Sequence, residues 1–367
     1  WMEIFGWERP QYFGIPENHS FRRSNAFEIV GQECKNVREN VGIADLTAFT
    51  KIEVSGRDAS NLLDRLSANK LPSSSGGIRL THMLTPLGGI ECEMTITKLN
   101  PERFYLNSSI MGELHDLDWL NQHVEEEEEV LIRDVTDELA ILAVSGPLAR
   151  DLLQPLTSAD LSNESFPWLT GQEIEIAGVP CRALRVSYVG ELGWELHHPI
   201  EQMIDLYTSL IDSGAAYDLG HYGSYAMNSM RIEKAYKAWG SELTTEITPV
   251  EARLERFVDL SRNFIGSDAV TKKQSEKLDM VLVYCEVETN DTDCRGNEPV
   301  FVGDNLIGLT TSGTWSHTVN KSVAFAYVSP ELESPGSVFE IEIMNERCRA
   351  TVLEDPIFDP FNEKIRR

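Results

Sequence analysis

Apolar and polar residues alternate with a period of two along Thr50–Gly56, and the period lengthens to that of an amphipathic helix over Asp58–Ser67. Alternation returns at Glu91–Leu99, which predicts a strand with Glu91 and Glu93 on one face. Leu139–Ser145 is a short apolar strand stopped by Gly146-Pro147, with a helix following through Leu153. Helical spacing recurs at Glu201–Ser213 and Tyr225–Tyr236, while Pro72–Gly77 and Pro86–Gly89 are turn-rich. Strands running into helices and back predict α+β layers, built as split βαβ units. From about residue 279 the helical spacing disappears. Val281–Val287, Leu306–Thr311, Ser322–Val328, Val338–Ile343 and Arg347–Leu353 read as short strands of a small barrel or sandwich. A boundary at Thr271–Lys277 divides the chain into a mixed region over residues 1–275 and a β domain over residues 276–367.

Composition narrows the function classes. A chain of 367 residues is too long for one ordinary core, so two or three domains are expected. The 32 basic and 59 acidic residues leave a formal charge of −27, which repels nucleic acid and anionic membranes. An anionic substrate must therefore find a local basic pocket. No apolar run approaches the roughly 20 residues of a membrane helix, and Trp1–Gly6 lacks the pattern of a secretory leader. Opening on Trp1 instead of Met suggests a fragment or a processed or trimmed form. Six cysteines without CxxC spacing indicate neither a zinc site nor a disulfide framework and fit a reducing compartment, cytoplasm or mitochondrial matrix. GxGxxG, Walker, HExxH and GxSxG patterns are absent, so no flavin, nicotinamide or metal site is expected in this chain. The Glu125–Glu129 run reads as a solvated loop, and His197-His198 would point to opposite faces of a strand.

Three segments carry candidate chemistry. Residues 182–195 read as a strand, a turn from Gly190 to Gly193 and a return strand from Trp194. That register sets Val189 opposite Trp194 and Tyr188 opposite Glu195, a phenol and a carboxylate side by side for a planar, donor-rich ligand. An ordinary cross-strand pair is the plain alternative. Next, the Gly88-Gly89 turn feeds a strand whose Glu91 and Glu93 could raise one another's pKa, unless they are merely the wet face of an edge strand. Finally, Tyr225, Asn228 and Arg231 fall on adjoining turns of a helix, where Arg231 wants a carboxylate partner or an anionic ligand.

The segments GELGWELHH, YAMNSMRIEKAYKAWGSEL with TPVEA, HMLTPLGG, TSGTWSHTVNKSVAFAYV and GWERPQYF resemble the folate-binding halves of the dimethylglycine and sarcosine dehydrogenases. They are more distantly similar to the glycine-cleavage aminomethyltransferases. The resemblance runs from Gly6 to about Asp359. It implies an α+β clover of three domains, two split βαβ (ferredoxin-like) domains interleaved within residues 1–275 and a C-terminal β-barrel, around a central folate channel. It implies that Glu195 grips the pterin donors of tetrahydrofolate, Tyr188 lines that pocket and Arg231 holds the anionic side or the reacting region. Glu93 takes the place of a catalytic aspartate, with Cys92 beside it. The implied activity is capture of a formaldehyde or iminium unit from N-methyl demethylation as 5,10-methylenetetrahydrofolate. The oxidising step would fall to a flavin- or metal-dependent domain or subunit. Two other activities occur on similar scaffolds: transfer of an intact methyl group to tetrahydrofolate, and a non-catalytic regulatory role on a phosphatase.

Overall fold

The chain enters one sheet at Val41–Asp45, leaves it to build a second, and returns at Leu139–Ser145 to pair antiparallel with the strand it left. The two α+β layers are thereby interleaved. The computed structural model describes residues 1–367. Its first sheet runs in the order Gly171–Ile176, Val179–Leu184, Gly193–Pro199, Leu139–Ser145, Val41–Asp45 and Leu219–His221. Only the last pair is parallel. The second sheet is antiparallel throughout, in the order Ile78–Leu84, Ile90–Asn100, Arg103–Ser108, Thr50–Ser55 and Leu131–Asp134.

Each sheet spends one face on its own helices. Ile52, Val54, Cys92, Met94, Ile96, Phe104 and Leu106 pack under helices Ala59–Leu66 and Glu113–Gln122. Val144, Ala183, Trp194 and Leu196 pack under helices Ala149–Leu153 and Met203–Gly214. Because side chains alternate along a strand, residues between these positions point the other way. The other face of the first sheet packs in part, through Ala44, Ile141 and Ala143, under helices Ala26–Glu39 and Ser224–Glu233, and a small cluster in which Tyr105 of the second sheet meets Leu184 of the first joins the two sheets. Glu91 and Glu93 project from the second sheet and Glu195 and His197 from the first, each on the face opposite Cys92 or Trp194, and His197 meets Tyr105 across the two sheets.

A closed barrel of six strands follows from Val281. Val281, Val283, Cys285 and Val287 point into it, while Leu282 and Tyr284 pack outward against Leu243, Ile247 and Phe264. Burial on both faces accounts for the unbroken apolar run that opens the domain. Five of the six strands coincide with expected segments. The sixth, Pro299–Val302, is four residues long and opens on a proline, too little pattern to stand out. Several element bounds differ from expectation, and the strand read as Leu306–Thr311 runs on to Ser316. The helix expected to reach Tyr236 ends at Glu233, because Ala235 adopts a left-handed φ of 52°. Helix Ser267–Ser275 occupies most of the stretch read as a boundary, so the connection to the barrel is shorter and later.

Candidate functional site

The Gly88-Gly89 turn is dictated by geometry. Gly88 has φ +87°, and a Cβ on Gly89 would lie 1.8 Å from the Thr245 carbonyl oxygen. That closeness lets the Ile90 N–H donate to the carbonyls of both Thr244 and Ile247, docking the 244–247 loop where the Glu91–Glu93 strand begins. Glu91 and Glu93 share the face away from the helices, as the alternation predicts. Each takes its own histidine. His82, directly opposite Glu93 in the ladder, lies with Nε2 3.2 Å from Glu93 Oε1. His82 is fully buried and its Nδ1 has no partner, so the tautomer protonated at Nε2 leaves only an acceptor unpaired. His115 bridges two carboxylates, Nε2 at 2.9 Å from Glu91 and Nδ1 at 3.0 Å from Asp116. Those bonds, Asp116 foremost, raise its pKa.

Cys92 points the opposite way into the core, yet its thiol, His115 and Asp116 offer ligand atoms within 4.8 Å of one another. Burial and the Asp116 charge push the thiol pKa well up and keep it neutral.

The 182–195 hairpin departs from the expected register. The first strand ends at Leu184, which stands opposite Glu195. Neither the Tyr188–Glu195 nor the Val189–Trp194 pairing forms. The connection, residues 185–192, is drawn out of the ladder by tertiary contacts that a local pattern does not contain. Val189 is buried with Val30, Val37 and Met230, and its carbonyl accepts from Arg38 at 2.6 Å. Arg185, also buried, donates to the Phe166 carbonyl. On the return strand, Trp194 sinks under the helices and Glu195 turns inward with His197. His197 Nε2 lies 3.3 Å from Glu195 Oε2, and its Nδ1 lies 2.8 Å from the Tyr105 hydroxyl. Burial lowers the His197 pKa, so the neutral ring donates to Glu195 and accepts from Tyr105. The other Glu195 oxygen has no protein partner, and its side chain is 14% exposed.

Tyr188 stands on the displaced loop, 36% exposed, and burial raises its phenol pKa. Its hydroxyl donates to the Lys237 carbonyl at 3.1 Å, and its ring stacks on Tyr236 with centroids 6.0 Å apart. The Arg231 charge opposes that rise in pKa, while Glu93 and Glu242 add to it.

Arg231 has found the carboxylate partner that its sequence setting called for, and it is internal. Its Nη1 donates at 2.9 Å to both Glu242 Oε2 and the Tyr236 carbonyl, and its Nε donates at 3.0 Å to Asn228. Arg231 and Glu242 are almost wholly buried, and Glu242 also accepts from Thr311 and Ser312 of the barrel. The guanidinium fastens the Tyr236–Glu242 loop to the barrel. Reasoning from sequence missed His82, His115, His197, Tyr105 and Lys237. Two of them left a signal: His82 faces Glu93 once the Gly-Gly turn sets the hairpin register, and His197 lies two residues from Glu195 on the same strand face.

Residues 1–262 match the GCVT N-terminal domain, and residues 281–359 match the glycine cleavage T-protein C-terminal barrel domain. The chain belongs to the glycine-cleavage T-protein family. The family is of the folate-dependent aminomethyltransferase and demethylase type. Among curated relatives, the mitochondrial dimethylglycine dehydrogenase of Mus musculus is 41% identical over 360 residues, covering 96% of this chain and 41% of that protein. The chain thus spans about two fifths of the dehydrogenase. An aminomethyltransferase of Thermoanaerobacter sp. (strain X514) is 33% identical, with 89% of each chain covered. The pyruvate dehydrogenase phosphatase regulatory subunit of Mus musculus is 31% identical over 100% of this chain and 45% of that protein. The solved structure of aminomethyltransferase T from Bartonella henselae superposes with a TM-score of 0.85, covering 98% of this chain and 94% of that one, at 22% identity. That likeness establishes the T-protein fold. No helix of this family member is long and apolar enough to cross a membrane.

Proposed function

We propose that this chain binds tetrahydrofolate between its two sheets and directs a formaldehyde-level one-carbon unit onto it, giving 5,10-methylenetetrahydrofolate. The observation that carries this reading is Glu195, an inward carboxylate with one oxygen held by neutral His197 and the other without a protein partner. Such an acceptor, fixed on a strand, suits the adjacent N–H donors of a pterin edge. The Tyr188–Tyr236 stack offers a flat wall beside it. When bound, tetrahydrofolate supplies the nucleophilic nitrogens that take up the one-carbon unit.

In this reading Glu93 receives the proton released there, and His82 fixes which carboxylate oxygen remains available. Glutamate is one methylene longer than aspartate, and the fully buried His82 restricts where that longer side chain reaches. Arg231 serves as a positioning residue, holding Tyr236 against Tyr188. The one-carbon unit would come from an N-methyl demethylation carried out by an oxidising domain or partner. This supply matches the dehydrogenase relatives, and their mitochondrial naming favours the matrix.

Calorimetric titration with tetrahydrofolate tests the site. Saturable binding that Glu195→Ala abolishes supports it; absence of wild-type binding at high micromolar folate rejects it. The similarity to a phosphatase regulatory subunit, over the whole of this chain and 45% of that protein, favours a second reading, a non-catalytic scaffold, which predicts that negative result.

A further inference from the structure

Cys92, His115 and Asp116 converge from two elements. Cys92 stands on strand Ile90–Asn100, and the other two lie in the first turn of helix Glu113–Gln122. Cys92 Sγ is 4.0 Å from His115 Nδ1, which is in turn 3.0 Å from Asp116 Oδ1. The three ligand atoms all fall within 4.8 Å of one another. Thiolate, imidazole and carboxylate are the donors of zinc sites, bonding at about 2.3 Å through sulfur and about 2.0 to 2.2 Å through nitrogen and oxygen. Tetrahedral angles at those lengths set sulfur and nitrogen about 3.6 Å apart, and nitrogen and oxygen about 3.3 Å apart. The observed separations differ by a few tenths of an ångström, which small side-chain rotations absorb.

The surroundings supply what a ligating histidine requires. His115 Nε2 lies 2.9 Å from Glu91, so when Nδ1 faces a metal the other ring N–H is held by a carboxylate, fixing the tautomer. Asp116 Oδ2 accepts from the Ser108 hydroxyl at 2.6 Å, which leaves Oδ1 on the His115 side. Gly112 makes room for that carboxylate, since a Cβ there would lie 2.4 Å from Asp116 Oδ2. Cys92 and Asp116 are buried, while the His115 side chain is 33% exposed, so the cluster meets solvent through His115. Neither Glu91 nor Asp116 has an ion-pair partner other than His115, and the charge of both bears on the Cys92 thiol.

We propose that Cys92, His115 and Asp116 bind a divalent cation of borderline softness, of the zinc class, with Glu91 holding the histidine from behind. Both nitrogens of His115 face carboxylates, so without metal the ring is an imidazolium beside a neutral thiol. Metal entry displaces two protons to solvent, one from the Cys92 thiol and one from His115 Nδ1, and the summed charge of the site is unchanged. Three protein ligands leave the fourth position to water. Sulfur and nitrogen donors disfavour magnesium and calcium, which take oxygen. The bound ion clamps helix Glu113–Gln122 to the strand that carries Glu93. The site is independent of the one-carbon reading.

The test uses the full chain, stripped with a chelator, then titrated with zinc and with cobalt(II). Calorimetry should show saturable zinc binding at a single site. Cobalt should give a thiolate-to-metal charge-transfer band in the near ultraviolet and the intense visible bands of a tetrahedral ion. Cys92→Ala should remove the charge-transfer band, whereas Cys181→Ala, which alters a buried thiol of the other sheet, should leave it. His115→Gln should abolish zinc binding. Glu91→Gln is expected to keep the band and weaken zinc by about tenfold to a hundredfold. Zinc should raise the melting temperature of the wild type but not of Cys92→Ala. Glu91 lies outside the core, so its variant keeps the readout even if Cys92→Ala fails to fold. No zinc uptake by stripped wild type at micromolar concentration, a charge-transfer band that survives Cys92→Ala, wild-type zinc affinity in Glu91→Gln, or equal occupancy by magnesium overturns the proposal.

Discussion

Replacing Arg231 with Met decides whether that arginine fastens a loop or touches a ligand. The change removes the donors to Tyr236 and Asn228 and strands Glu242 in a site where it is fully buried. Breaking one side of a buried ion pair costs about 3 to 5 kcal/mol. Glu242 keeps the Thr311 and Ser312 hydroxyls and the Ala238 N–H, which places the loss at the low end, about 3 kcal/mol. With roughly 2.1 cal/mol/K of unfolding entropy per residue, a chain of 367 residues would melt about 4 °C lower. Scanning calorimetry measures that shift. Adding Glu242→Gln removes the stranded charge and should recover part of it, a coupling that a double-mutant cycle isolates. Folate affinity should fall moderately, through loosening of Tyr236 against Tyr188. An Arg231→Met protein with wild-type melting and no folate affinity would refute the reasoning and return Arg231 to the ligand.

Two further substitutions examine the histidines that hold the carboxylates. His197→Phe leaves the Tyr105 hydroxyl buried without its partner and frees Glu195 to turn; denaturant unfolding should show a loss of about 1 to 3 kcal/mol, and calorimetry a weaker folate. Asp116 and Glu91 raise the His115 pKa above its unfolded value, so the stability it contributes is fully present below about pH 6.5 and lost as pH rises through the folded pKa. Unfolding of wild type and His115→Gln should therefore differ more at pH 6 than at pH 9; a constant difference would show that His115 does not hold an extra proton.

The parts of the fold legible in the sequence are those decided locally. Leu139–Ser145 and Val281–Val287 occur at the residues their apolar runs indicate, because both are buried on both faces. Glu91 and Glu93 share a face because strand alternation leaves no choice. The 182–195 hairpin fails for the opposite reason. Two glycines permit a tight reversal, but burial of Val189 against helices Ala26–Glu39 and Ser224–Glu233, with Arg38 on its carbonyl, outweighs the turn. Arg38 lies 151 residues away, beyond any local pattern. Arg231 stands out in the sequence as a cation in apolar surroundings, and the structure pairs it with a carboxylate. What the sequence leaves open is which carboxylate answers it, because Glu242 approaches only when the chain folds back to the barrel.

The division of labour between Glu195 and Glu93 is tested most directly by single-turnover condensation of formaldehyde with bound tetrahydrofolate, followed against the spontaneous rate at saturating folate. The wild type should exceed the spontaneous rate, and Glu93→Gln should fall toward it, a loss of about 10² to 10⁴ for removal of a proton acceptor. Its folate Kd should be unchanged. A Glu93→Gln protein that turns over at the wild-type rate would contradict the account.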